Sequence, residues 1–194
     1  KPYAKEAELV RGLRELRAKD PTVGASPTFK NKNIILTHWS KSPNLEVAEP
    51  RYHGTNHRGA EFGKSVPGRG STQFYIPMTY FGLNKYEKEI MVGPHRYGAV
   101  VNGNDMYDMD TDPLNLFPKG IDMLNTYGVT GNAAQMELFR YRIAHAGFKG
   151  AISEGSHKAT LFVPSRVAPV KPGNKSLSQK TDPSSFYQAI PNEA

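Results

Sequence analysis

Eight residues constrain this chain more than any others: Asn33-Ile34-Ile35-Leu36-Thr37-His38-Trp39-Ser40. The β-branched pair Ile34 and Ile35 favours an extended backbone. An uninterrupted apolar run of this length suits a strand covered on both faces. The run then ends in an imidazole, the chain's single indole and a hydroxyl. This pattern predicts a core strand whose carboxyl end forms the floor of a ligand cleft, with the remaining elements built around it.

Charge narrows the ligand. With 25 Lys and Arg against 18 Asp and Glu, the net charge of +7 favours an anionic partner: a nucleotide, a nucleic acid or an acidic protein face. No GxGxxG or GxxxxGK[ST] is present, so a nucleotide is expected to bind without a phosphate loop. The lack of a GxSxG elbow argues against serine hydrolysis. Zero Cys excludes disulfides, thiolate catalysis and Cys-ligated zinc, and suits an exported or translocated protein. No HExxH occurs, and His53 and His57 stand four apart in a Gly-containing stretch that makes a poor helix, so no metal site is expected. No run of 18 apolar residues is present, so no membrane span is expected.

The rest of the chain reads as follows. Residues 4–19 have Leu9, Leu13 and Leu16 at helical spacing with Val10 beside them and Lys and Arg on the other face, a helix ended by Asp20-Pro21 and Gly24. Residues 41–71 are rich in Gly, Pro, Asn, His and Arg, which predicts a long functional loop. Its segment Arg51-Tyr52-His53-Gly54-Thr55-Asn56-His57-Arg58 combines glycine, which lets backbone approach a ligand, with cations that suit phosphates. Residues 72–81 read as a second strand, with Pro77 marking an edge or bulge. A helical turn over 85–90, a third strand over 96–102 and a turn at Asn102-Gly103 follow. Asp108, Asp110 and Asp112 have calcium-loop spacing, but Pro113 and Lys119 occupy the positions that need Gly and Glu, so a solvated acidic turn is expected. Residues 131–146 form a helix with Met136, Phe139, Ile143 and Ala146 on one face, stopped by Gly147. Strands are expected over 148–153 and 159–163, and a polar tail follows Pro169. This order gives a mixed α+β domain rather than a regular strand–helix alternation.

A His at the end of the first strand, a hydroxyl two residues later, Tyr75 on the second strand, Tyr86 eleven residues on and a late Glu together resemble the His–Tyr–Glu group of ADP-ribosyltransferases. The segments 36–61, 97–108 and 147–150 are also similar to ADP-ribosyltransferase-like domains of phage polyvalent proteins and bacterial effectors. The resemblance spans residues 33–170. It implies a mostly antiparallel split sheet with flanking helices, and a division into an N-terminal helix (1–24), a catalytic domain (25–170) and an extended or disordered tail (171–194). It implies a mono-ADP-ribosyltransferase that takes NAD as co-substrate and modifies an acceptor protein, a host protein among the candidates. His38 would bond the adenosine ribose, with Trp39 and Ser40 beside it. Tyr75 and Tyr86 would sandwich the nicotinamide, and His53, Gly54, Thr55 and Arg58 would touch the diphosphate or the acceptor. His53-Gly54-Thr55 offers a competing register for the motif His. The apolar strand before His38 favours His38, since Pro50 and Arg51 make a poor strand before His53. The carboxylate falls to Glu154, after the 148–153 strand, or Glu137, on the second helix, with Glu61 behind them. No Glu-x-Glu pair occurs among the late glutamates, so the acceptor residue stays open.

Two other readings suit the composition. Six His, ten Tyr and the basic balance fit a metal-independent ribonuclease or a nucleic-acid-binding module. A non-catalytic virion or scaffold domain is the third. The expected location is secreted or translocated into a host cell, otherwise cytoplasmic or virion-associated.

Overall fold

The structure is a computed structural model of the chain and describes residues 4–40, 78–91, 93–162, 170–171, 176–183 and 187–190. Its strands are β1 (Asn33–Ser40), β2 (Met78–Leu83), β3 (His95–Asn102), β4 (Met106–Asp108), β5 (Gly150–Ser153), β6 (Lys158–Phe162), β7 (Val170–Lys171) and β8 (Tyr187–Ala189). Its α-helices are α1 (Ala7–Lys19), α2 (Gly120–Tyr127) and α3 (Asn132–His145). Among the described residues the strands form one sheet in the order β4-β5-β6-β2-β1-β3-β8-β7. The β4–β5 and β7–β8 pairs are parallel and the other five are antiparallel, so the domain is α+β with a mixed, mostly antiparallel sheet.

The sheet is split at its centre. β1 pairs with β3 along its whole length, from Asn33↔Asn102 to Ser40↔His95. β2 pairs with β6 from Met78↔Phe162 to Gly82↔Lys158. β1 and β2 pair with each other only at Leu36↔Leu83 and Thr37↔Gly82. No further β1–β2 pair follows Thr37 among the described residues. Because β2 and β3 both run antiparallel to β1, the chain joining them must cross over β1. The 3₁₀ segment Asn84–Ile90 makes that crossing and touches both β1 and β2.

Strand alternation sorts the side chains onto two faces. One face carries Ile34, Leu36, Phe81, Leu83, Ala99, Val101, Ile152 and Leu161 as a buried cluster, covered by Phe29 and by Tyr86 of the crossing segment. The other carries Tyr107 and Ala151 against Leu13 of α1 and Phe139 and Ile143 of α3. Met123 of α2 packs on Leu138 and Tyr141 of α3. The sequence reading above named no helix over α2, whose end is set by Gly128 in the left-handed region at φ 72°.

Helix α1 docks on a different edge from the one its leucines suggest. Val10 and Leu13 are buried, while Leu9 and Leu16 are 40% and 44% exposed. Basic residues supply the missing anchors. The Arg17 guanidinium lies 3.8 Å from the Phe148 ring centre and donates to the Asn104 carbonyl at 2.7 Å. Arg14 donates to the His145 carbonyl at 2.7 Å. Glu6, buried just before the helix, accepts from Tyr127 Oη at 2.7 Å and from Arg142 Nε at 2.9 Å.

The acidic turn is less solvated than its composition suggests. Asp108 is buried and accepts from the Asp110 amide and the Thr111 hydroxyl. Asp112 accepts from the Leu116 and Phe117 amides and from the Tyr107 hydroxyl. Asp110 accepts from Ser153 Oγ at 2.6 Å and the Gly155 amide at 3.0 Å. These carboxylates therefore act as loop caps, their lone pairs taken by neighbouring donors.

Part of the C-terminal segment is strand: β8 pairs with β3 at Tyr97↔Ala189 and Gly98↔Gln188. A Cβ on Gly98 would lie 2.6 Å from Leu177 Cδ1 and 3.0 Å from Ile190 Cδ1, so the absence of a side chain there lets the segment close on β3. No helix among the described residues is long and apolar enough to cross a membrane.

Candidate active site at the split of the sheet

Thr37 is the last β1 residue paired with β2, and His38 is the next one along. Register places His38 opposite Tyr97 of β3, on the face carrying the Leu36–Phe81 cluster. The imidazole is 5% exposed, and its ring centre lies 5.7 Å from that of Phe81 at an interplanar angle of 60°. Tyr97 is 2% exposed, and burial pushes its phenol up, so it stays neutral. A buried imidazole beside a neutral phenol, where the β1–β2 pairing ends, offers groups that can hydrogen-bond a hydroxyl-bearing ligand.

Trp39 points to the other face. It is 5% exposed, and its indole Nε1 is buried with no hydrogen-bond partner among the described residues. Arg96, its register partner on β3, lies 6.0 Å from the indole ring centre and is held there by two 2.8 Å hydrogen bonds to Glu87. Trp39 therefore braces the strand end, with its ring facing away from His38. Ser40 ends β1 opposite His95.

Tyr86 packs on the His38 face, but its ring is not open on both sides. It stacks on His157 with ring centres 3.6 Å apart and planes 6° from parallel. His157 Nδ1 lies 3.3 Å from both carboxylate oxygens of Glu89. One side of the expected nicotinamide clamp is thus occupied by imidazole, and its other member, Tyr75, lies outside the described residues. His53, Gly54, Thr55, Arg58 and Glu61 also lie outside them.

The two candidate glutamates separate. Glu154 leaves β5 in the turn to β6, is exposed, and accepts from Thr28 Oγ1 at 2.9 Å. Thr28 precedes Phe29, which covers the His38 face, so Glu154 shares that side of the sheet. β2 and β6 stand between β1 and β5, which sets Glu154 three strand spacings, roughly 14 Å, from His38. Glu137 is 3% exposed on α3, the helix packed against the opposite face. The structure brings His38, Tyr86 and Glu154 to one side of the sheet and leaves Glu137 on the other.

Sequence reasoning missed the second role of the crossing segment. Glu87 and Glu89, on either side of Lys88, tie it to Arg96 and to His157. The Tyr-Glu-Lys-Glu run from Tyr86 to Glu89 was the available signal, but the partners are set by strand register. Among the described residues no group of three or more metal-ligating side chains comes together.

No family model, curated protein or solved structure matches this chain.

Proposed function

We propose that the protein is a mono-ADP-ribosyltransferase, using NAD to modify an acceptor protein at the cleft that begins at His38. One observation carries the reading: a split sheet parts beside a buried His at the end of a core strand, with Tyr86 and Glu154 on the same side. His38 and Tyr97 suit ribose hydroxyls, since a buried imidazole and a neutral phenol both donate and accept. Glu154 suits the second ribose. It need not touch His38, because the diphosphate separates the two sugars of the dinucleotide. The net charge of +7 favours that diphosphate.

The chemistry asks little of the protein in covalent terms. The bond between C1′ of the ribose and the nicotinamide nitrogen breaks, and nicotinamide leaves neutral with the bonding electron pair. The sugar passes through an oxocarbenium-like state, which a carboxylate stabilises. An acceptor side chain then bonds to C1′ and loses its proton. The residues of this chain hold the two riboses, set a carboxylate near the second, and keep water away until the acceptor arrives.

The test is transfer of label from labelled NAD to protein bands in a cell extract. His38→Ala and Glu154→Gln are each expected to lower transfer about 10²-fold, the scale for losing one preorganised contact; melting is expected to be unchanged for Glu154→Gln, which is exposed, and lowered for His38→Ala, which is buried. Glu137→Gln is expected to transfer normally. Release of nicotinamide without a labelled band would make water the acceptor. Full transfer by the His38→Ala protein, or no turnover of NAD at all, refutes the proposal.

A further inference from the structure

On the opposite face of the sheet, α3 and the β5–β6 hairpin enclose a cavity of about 230 Å³ that plays no part in the reading above. Its origin is visible in side-chain size. Met136, Arg140 and Ile143 line it from α3, at helical spacing. Beneath them the sheet offers Ala151, Ser153 and Thr160, too small to fill the gap under a helix. A close-packed interior would place larger side chains there. Met109, beyond the end of β4, and Phe162, at the end of β6, add apolar lining.

Two cations belong to the same lining. Arg140 comes from the helix and Lys158 from β6, where register sets it opposite Ser153. Among the described residues Lys158 forms no ion pair, and the Thr160 hydroxyl makes no hydrogen bond. Ser153 is already engaged: its hydroxyl donates to Asp110 and accepts from the Ser156 amide. Asp110 is the carboxylate behind that wall. The Gly155 amide and the Ser153 hydroxyl hold its carboxyl below the usual range, so its charge is fixed and already satisfied.

We propose that this cavity binds a small molecule with a compact apolar body and one oxyanion, carboxylate or phosphate, the anion lying between Arg140 and Lys158 and the body on Met136, Ile143 and Phe162. Two donors of positive charge from opposing walls suit an oxyanion. The volume equals roughly eight waters at about 30 Å³ each, which matches a single substituted ring. The site stands on its own side of the sheet and does not rest on the transferase reading.

The test is titration of the whole protein, labelled at its methionine methyls, with benzoate, phenyl phosphate, neutral phenol and inorganic phosphate. The Met109 and Met136 methyl signals report the cavity. Saturable shifts are expected with benzoate or phenyl phosphate, and the tighter of the two identifies the anion. Phenol, lacking charge, and inorganic phosphate, lacking the ring, are each expected to bind at least about tenfold more weakly. Lys158→Ala is expected to weaken the preferred ligand about tenfold, with unchanged melting because Lys158 is exposed. Arg140→Lys keeps the charge but loses the two-pronged geometry and is expected to weaken the phosphate more than the carboxylate. Shifts that never saturate, equal binding of phenol, or full affinity in Lys158→Ala overturn the proposal.

Discussion

Replacing Glu6 by Ala tests how the first helix is held. The carboxylate is 4% exposed and accepts three hydrogen bonds: from Tyr127 Oη at 2.7 Å and from Arg142 Nε and Nη2 at 2.9 and 3.2 Å. Its loss leaves a mostly buried guanidinium whose remaining partner among the described residues is the Leu116 carbonyl, at 2.9 Å. Breaking one side of a buried ion pair costs about 3–5 kcal/mol. The Arg142 side chain is 18% exposed and can recover some water, which favours the lower end, about 3 kcal/mol. The Tyr127 hydroxyl then loses its acceptor, adding about 1 kcal/mol. At 2–4 °C per kcal/mol for a domain of this size, the melting temperature should fall by roughly 8–16 °C. Calorimetry and urea unfolding measure both figures. The control is the pair: Glu6→Met with Arg142→Met together should come within about 1 kcal/mol of the parent, since an apolar pair of similar volume replaces a desolvated ionic one. If Glu6→Ala costs under 1 kcal/mol, or if the double variant loses the sum of its singles, the reading of this contact as a coupled buried pair is wrong.

Two glycine substitutions should move in opposite directions. A Cβ on Gly150 would lie 2.0 Å from the Thr160 carbonyl oxygen, so Gly150→Ala must push β5 from β6 and should cost about 3 kcal/mol in urea unfolding. Gly12, in α1, has nothing within 4 Å, so Gly12→Ala should stabilise by about 0.5–1 kcal/mol, and a loss there would mean the helix packs otherwise. Asp110 gives a pH dependence. Its carboxyl is held low in the folded protein, so its contribution is fully present above the unfolded value of about 3.9 and is lost as pH falls through the folded value. Asp110→Asn should therefore flatten the decline in urea midpoint between pH 4.5 and pH 2.5, taken as about the window of a carboxylate, and parallel declines in the two proteins would count against it.

The central strand and the two long helices were legible because each carries a strong periodic signal. Ile34 to Leu36 announces β1, and Met136, Phe139 and Ile143 announce α3. The buried edge of α1 was misjudged because leucines were weighed above arginines, yet Arg17 docks on Phe148 through a flat guanidinium face. Helix α2 was hidden by its content: one buried residue, Met123, amid exposed Ile121 and Leu124 gives no clean stripe. At the candidate site, the position of His38 at a strand end follows from local sequence. The parting of β1 from β2 just after Thr37 depends on register between segments about 45 residues apart, which local pattern does not encode. The Tyr86–His157 stack likewise joins elements far apart in the chain, and the Glu89–His157 contact accompanies it.

The pairing of β8 with β3 has a consequence for biosynthesis. During translation, β1 and β3 can associate as soon as they emerge, yet one flank of β3 then presents unpaired amides and carbonyls at Tyr97 and Gly98. Its partner, residues 187–189, leaves the ribosome only after α2, α3 and the β5–β6 hairpin have been made. Throughout that interval the nascent protein carries an open, apolar ribbon edge, the kind that recruits other chains. Docking of residues 187–189 on β3 closes that edge at Tyr97 and Gly98.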